Sequence, residues 1–365
     1  MQRWGGTGGS GFIGGEVLYN IVKSHPEYTV RALFRDLKKA ASLTGVFANT
    51  QVVEGSLDDD AVLAKEAAEA DIIVRMYHHP LGITKYALML NEDAAATGHL
   101  NSVQTIHEAL KKRPVDNKPA YWIHVSGAAA LSAAETSDKS RIPGSRSDAI
   151  WDDLNGVDDI RDMIQKHPAR AVDNYILSVA KDTPQVNTAI FFPPITFGTG
   201  HGPVNQRSIQ IPYLAKATLE RKRGLVVGKG ANRWGSVHIH DLGKLVLKLV
   251  EKAAEPSQSD EQVWNENGLY MLGLEETTFR HLSERVTELA AEKGLIPSAT
   301  DIDEVLGDEA NKLLPHATVI YATNARSEAR RGKEILGWKP EHVPGLEEGI
   351  VEAVDVEAST SLSLV

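Results

Sequence analysis

Apolar positions along the first half of the chain follow two alternating periods. Ile13, Val17, Leu18, Ile21 and Val22 recur at three- and four-residue spacing, which predicts an amphipathic helix opening out of the glycine-rich stretch from Gly5 to Gly15. A strand-like run follows at Tyr28 to Phe34, then a short strand near Gln51 to Val53, a helix near 58–68 and a strand at Asp71 to Val74. A long, mainly helical stretch then runs to Lys112, and strands at Tyr121 to Val125 and Asn187 to Phe192 complete the series. Strands separated by helical segments need parallel crossovers, so the pattern predicts an α/β chain with a Rossmann-type, doubly wound parallel sheet.

After Pro193-Pro194 the texture changes to Gly- and Pro-rich loops with short helices. A strand near 236–240 leading into helix 241–253 reads as a return to the sheet. The expected division is a dinucleotide-binding domain over 1–193, rejoined by 236–254. A smaller, discontinuous C-terminal substrate region covers 194–235 and 255–352, and 353–365 forms a frayed tail. No internal repeat is visible. Only Met1 to Trp4 precede Gly5, so the first strand is expected to be stunted, or the chain to start late.

The glycines carry the first chemistry. A loop without Cβ atoms at a helix N-terminus lets backbone N–H groups reach a pyrophosphate, and the helix dipole favours its charge. Two registers fit G-x-G-x-x-G, Gly6/Gly8/Gly11 and Gly9/Gly11/Gly14. The preferred reading is Thr7-Gly8-x-x-Gly11-x-x-Gly14, because Gly14 then sits one turn into the helix, where a missing side chain allows close packing. Arg35 ends the next strand at the place where an arginine accommodates the 2′-phosphate of NADP, and Lys38 and Lys39 add charge. Asp36 beside it leaves NAD open. NADP(H) is therefore the preferred cofactor and NAD(H) the alternative.

Charge and composition narrow the partners. Lys plus Arg number 39 against 49 Asp plus Glu, a net charge of −10 that repels a phosphate backbone, so no nucleic-acid partner is expected. Without cysteine the chain has no disulfide and no thiolate chemistry, which points to an intracellular, cytoplasmic protein. No apolar run reaches the roughly 18 residues of a membrane span, and no signal-peptide pattern opens the chain. The expected partner is a small-molecule substrate. His238 and His240 alternate on the predicted strand, a spacing that suits a metal, but capping of the next helix by Asp241 explains the segment as well, and no metal site is assigned. His78-His79 is a poor pair, because neighbours on a strand point opposite ways. Arg221-Lys222-Arg223 and Arg330-Arg331 read as solvated helix ends. Leu81, Leu88, Val103, Ile106 and Leu110 suit a homodimer face or the core equally well.

Six motifs in order carry a resemblance: Thr7-Gly8-x-x-Gly11-x-x-Gly14, strand-end Arg35, Val125-Ser126-Gly127, Pro193-Pro194-Ile195-Thr196-Phe197-Gly198, Val237-His238-Ile239-His240-Asp241-Leu242 and Leu336-Gly337-Trp338-Lys339-Pro340. Together they resemble the extended short-chain dehydrogenase/reductase superfamily, which includes NAD-dependent epimerase/dehydratases, and especially its atypical fungal NAD(P)-binding members. The resemblance implies a hydride exchanged between nicotinamide and a carbonyl or alcohol, with Gly8, Gly11, Phe12, Ile13 and Gly14 at the pyrophosphate. It places Gly55-Ser56-Leu57 beside the adenine, with Ser56 where the family has Asp. The family also uses a Ser or Thr after the fifth strand together with Tyr-x-x-x-Lys.

Ser126 matches the first of these. Tyr175, however, is followed at the fourth position by Val179, and the next lysine is Lys181, a six-residue gap that cannot converge on one helix face. The chain's only Tyr-x-x-x-Lys, Tyr19 to Lys23, falls on the first helix. The run Arg75-Met76-Tyr77-His78-His79 puts bulk where the family has small residues, narrowing the nicotinamide pocket. The expected activity is an NADP(H)-dependent oxidoreductase of a small aldehyde, ketone or alcohol, with Ser126 holding the substrate oxygen and Tyr175 as candidate proton donor. The alternatives are a non-catalytic NAD(P)-sensing regulator of the nitrogen-metabolite-repression type and, further off because it needs the dyad, a nucleotide-sugar epimerase or dehydratase.

Overall fold

The computed structural model describes the chain except residues 1–2, 8, 39, 41–46, 48–49, 77–98, 115–117, 256–259, 342–343 and 363–365. Its main body is a sheet of seven strands. β1 (Arg3–Thr7), β2 (Thr29–Phe34), β3 (Thr50–Glu54), β4 (Ile72–Arg75) and β5 (Ala120–Val125) come first in the chain. The two-residue β6 (Trp151–Asp152) lies outside this sheet, and β7 (Val186–Phe192) rejoins it. The spatial order is β11-β7-β5-β4-β1-β2-β3, every pair parallel, with β11 at Leu269–Met271. Strands β4, β5 and β7 are buried along their whole length, as apolar strands covered on both faces should be. β2, nearer the edge, alternates between buried and half-buried positions.

β1 corrects the expectation of a stunted first strand. It pairs on both sides, Trp4 opposite Val30 and Ile72, and Thr7 opposite Leu33 and Arg75. Gly5 and Gly6 therefore belong to the strand and not to the glycine loop. Two flanking ladders supply the backbone bonds that a glycine-bearing strand cannot secure through side-chain packing. The chain turns through Gly9 to Gly11 and enters α1 (Phe12–Ser24), whose Val17, Leu18 and Ile21 are buried.

Helices α2 (Asp60–Glu69), α3 (Leu100–Lys111), α4 (Ala133–Ser137), α5 (Val157–Gln165) and α6 (Ala171–Asp182) fall between the strands. Val103, Ile106 and Leu110 of α3 are buried in the chain's own core, while Leu81 and Leu88 lie outside the described residues. Among the described residues no helix is long and apolar enough to cross a membrane.

The C-terminal half departs from the expected layout in three places. First, β10 (Arg233–His238) does not rejoin the main sheet. It lies between β8 (Ile195–Phe197) and β12 (Glu275–Thr278) in a separate three-stranded sheet, and only the helix after it returns to the main body. With α7 at Gln210–Arg221, that returning helix is α8 (Ile239–Ala254), which packs on α1 so closely that a Cβ on Gly243 would stand 2.5 Å from Asn20 Nδ2 and 2.9 Å from Glu16 Cγ. Second, the main sheet does not end at β7: β11, from the stretch assigned to the substrate region, adds its seventh strand. Third, residues 353–362 of the expected frayed tail belong to a helix over Leu346–Leu362, with Val354 fully buried and Glu357 paired to Arg207, and 363–365 lie outside the described residues.

A buried carboxylate ties the halves together. Asp153 accepts backbone N–H bonds from Met271, Arg330 and Arg331, each at 2.8 Å, and Arg331 Nε donates to its carbonyl at 2.7 Å. Burial outweighs those donors and pushes the Asp153 carboxyl up to about 6.

Candidate active site

The sheet order reverses between β1 and β4, and in an open α/β sheet that is the crevice where ligands bind, beyond the strands' C-terminal ends. α1 starts there. Its N-cap is Gly11, which has no side chain to cap the helix, and the first turn contains no acidic residue. The leading N–H groups of α1 are thus left for a ligand, the arrangement that suits an anionic pyrophosphate. Gly6 lies inside β1, Gly14 is buried inside α1, and Phe12 and Ile13 open the helix as buried and half-buried residues. Gly8 lies outside the described residues. A second glycine contact presses the 198–202 segment onto α1: a Cβ on Gly15 would stand 2.9 Å from the Cα of Gly202, and one on Gly202 would stand 2.7 Å from the Cα of Gly15.

Because the strands are parallel, Thr7, Arg35, Ser56 and Leu57 come out on this same edge, at the ends of β1, β2 and β3. Arg35 is exposed and makes no ion pair among the described residues, whereas Arg31 is held by Glu66 and Gln51 at 2.7 and 2.8 Å. Asp36 accepts the backbone N–H of Lys38 at 2.9 Å, which occupies it in a local turn, and Lys39 lies outside the described residues. Ser56 is half-buried and its hydroxyl accepts from the backbone of Asp58 at 3.1 Å, so it shapes the turn into α2. Leu57 beside it is half-buried too.

Ser126 follows β5, anchored by its N–H to the Phe191 carbonyl at 2.9 Å. The sequence reading missed its partner. Arg170, the N-cap residue of α6, donates Nη2 to the Ser126 hydroxyl at 2.9 Å. Arg170 is buried and is itself held by the buried Asp173, whose Oδ2 accepts Nε at 2.7 Å. Arg-x-x-Asp spacing across a helix start was the available signal. A Cβ on Gly127, the next residue, would meet nothing within 4 Å, and Ser126 itself is half-buried. Two residues before Ser126, His124 is fully buried and held well below the usual imidazole range by burial and by the charges of Arg75 and Arg170.

Two expectations change at this site. Arg75 does not narrow a pocket: it is fully buried and reaches from β4 to Ser102 on α3, where Nη2 donates to the hydroxyl at 2.7 Å. Met76 is buried as well, and Tyr77, His78 and His79 lie outside the described residues. Tyr175 is not brought to Ser126. Five residues beyond Arg170, it lies about 140° further round the helix, and its hydroxyl pairs with His107 Nδ1 at 2.9 Å, while His107 Nε2 meets Thr183 Oγ1 at 2.8 Å. Burial raises the Tyr175 phenol and lowers the His107 imidazole.

The His238–His240 segment also differs from its reading. The strand ends at His238 and α8 begins at Ile239, so the two rings face each other across a junction, edge to face at 4.5 Å. The cap is His238, whose Nδ1 accepts the His240 N–H at 3.2 Å. Asp241 instead accepts from the backbone of Glu341 at 2.9 Å.

No family model matches the chain. It is 30% identical over 350 residues to the oxidase ucsJ of an Acremonium species, covering 94% of each protein. Among solved structures it resembles the dTDP-glucose 4,6-dehydratase of Bacillus anthracis in complex with NAD, at 17% identity and TM-score 0.64, covering 98% of this chain and 97% of that one. It also resembles the UDP-glucuronic acid 4-epimerase of Bacillus cereus in complex with UDP-glucuronic acid and NAD, at 14% identity and TM-score 0.61, over 98% of this chain and 100% of that one. A likeness that runs the length of both chains places this chain in one family with the oxidase ucsJ, and its doubly wound sheet gives it the fold of the extended short-chain dehydrogenase/reductase superfamily.

Proposed function

We propose that the chain is a nicotinamide-dinucleotide oxidoreductase acting on a small carbonyl or alcohol, with NADP(H) preferred over NAD(H). The observation that carries the reading is the Ser126 hydroxyl, held by Arg170 at the end of β5, on the same sheet edge as the uncapped start of α1. The 30%-identical relative is named an oxidase, and the two structural neighbours hold NAD, which supports the cofactor class. Exposed Arg35, without an ion-pair partner among the described residues, supports the 2′-phosphate preference.

The residues at hand fit such a cofactor. The N–H groups after Gly11 would take the pyrophosphate and Arg35 the 2′-phosphate. When bound, the nicotinamide supplies or accepts the hydride. Arg170 donates to a lone pair of Ser126 and leaves its O–H free to point at the substrate oxygen, while Asp173 fixes the guanidinium. Proton delivery through Tyr175 is not part of this reading, because His107 occupies that hydroxyl.

The same occupation of Tyr175, with no Tyr/Lys pair at Ser126 among the described residues, favours a second reading: a cofactor-binding regulator without chemistry. Thermal-shift titration with NADPH and NADH, repeated on Arg35→Asp, tests the cofactor. A ligand at 100 times its Kd adds about 2.7 kcal/mol. NADPH should stabilise the wild type more than NADH, and Arg35→Asp should erase that difference. Equal or absent shifts overturn the preference. A carbonyl panel followed at the nicotinamide absorbance then separates the readings: turnover lost in Ser126→Ala supports the enzyme, and tight binding without turnover supports the regulator.

A further inference from the structure

α1 carries a carboxylate, Glu16, at 1% exposure, and no lysine or arginine among the described residues pairs with it. An ionised carboxylate buried without a cation is costly, so its neighbours are informative. They are imidazoles. His201 donates its backbone N–H to Glu16 Oε2 at 2.7 Å, and its Nδ1 lies 3.1 Å from both carboxylate oxygens. His240, in the first turn of α8, completes the group: one donor atom from each of Glu16, His201 and His240 lies within 4.8 Å of the others.

The three side chains are held in place. Asn20 Nδ2 donates to Glu16 Oε1 at 2.9 Å. Tyr19 stacks on His201 at 4.2 Å, His201 stacks on His240 at 4.1 Å, and the Thr199 carbonyl oxygen lies 3.1 Å from His240 Nε2. Two imidazoles stacked this closely would repel if both were protonated, so they do not neutralise Glu16 as a pair of cations.

We propose that Glu16, His201 and His240 form a binding site for a divalent transition metal of the zinc class, which would fasten the 198–202 segment to α1 beside the glycine turn. Bonds of about 2.0–2.2 Å in a tetrahedral site put neighbouring donors about 3.3–3.5 Å apart. The 3.1 Å between His201 Nδ1 and Glu16 Oε1 therefore needs to open by only a few tenths of an ångström once the shared proton gives way to the ion. Two nitrogens and one carboxylate oxygen suit zinc and its neighbours over calcium or magnesium, which take oxygen sets. The exposed side of His201 leaves a path for the ion and room for a water as fourth ligand. The site stands independently of the nucleotide reading.

The test uses the tag-free full chain, stripped with chelator and titrated with Zn2+ by calorimetry, with Co2+ as a spectroscopic substitute. One ion per chain is expected, with a raised melting midpoint and Co2+ visible bands of a low-coordinate nitrogen–oxygen site. His201→Ala and His240→Ala should each weaken Zn2+ binding at least tenfold, and His281→Ala, an exposed histidine on the helix Phe279–Glu292, should leave it unchanged. His201 is the safeguard against misfolding, since its side chain is 42% exposed. The proposal is overturned if the wild type binds no stoichiometric Zn2+, or if both cluster variants bind as the wild type does, in which case Glu16 and His201 form an ion pair only.

Discussion

At Ser126 a single hydroxyl is fixed by a guanidinium that is itself fixed by a carboxylate, and both charges of that pair are buried. Removing one member of a buried pair strands the other, at a cost of about 3–5 kcal/mol. Arg170→Met should therefore destabilise the chain by that order in urea unfolding, and adding Asp173→Leu should recover most of the loss. If Arg170→Met alone unfolds like the wild type, the pair is not buried as described. The Gly15–Gly202 contact makes a second residue-scale prediction. A methyl group on Gly202 would meet backbone at 2.7 Å, and backbone does not yield as a side chain does. Gly202→Ala should cost about 1–3 kcal/mol and weaken nucleotide binding, because the displaced segment presses on the first turns of α1. Melting midpoints with and without NADPH would measure both effects.

Asp153 joins elements that the chain order keeps apart: the loop after β6, the edge strand β11, and the start of the Arg331–Glu334 helix. Its carboxyl is raised from 3.8 to about 6, so the native state holds this proton where the unfolded chain has released it. The contribution is complete below the unfolded value and declines as pH rises through about 6. Asn at this position mimics the neutral form at every pH. The stability difference, wild type minus Asp153→Asn, should thus fall by about 2–3 kcal/mol between pH 4 and pH 7. A pH-independent difference, read from urea unfolding at the two pH values, would mean that the three N–H donors keep the group ionised throughout. At the same scale, β11 shows why short edge strands escape notice. Leu269–Met271 is three residues long, and nothing in three apolar residues distinguishes a strand from any other buried segment until β7 is beside it.

Across the whole molecule, His107, His124, His238 and His240 all sit below the ordinary imidazole value, burial being the first cause in each. A base lowered in the folded state contributes stability that is present above its unfolded pKa and is lost as pH falls from that value toward the lower folded one. Four such groups, against Asp153 as the one raised carboxyl among the described residues, predict that the melting midpoint drops as pH is lowered from 7.5 to 5.5, and a flat or rising midpoint would contradict it. The sequence alone determined the parallel α/β class, the helix after the glycine turn and the position of Ser126, because each rests on periodicity or spacing within one segment. Tertiary structure decided the rest. Gly5 and Gly6 became strand because two neighbours supply their hydrogen bonds, and Leu346–Leu362 became helix because Ile350, Ala353 and Val354 meet the core. Arg170 rather than Tyr175 reached Ser126, and Glu16 met two imidazoles, because those contacts span 44, 185 and 224 residues of chain. Local pattern records which face of an element is apolar, and only packing determines which distant polar groups are brought within hydrogen-bonding reach.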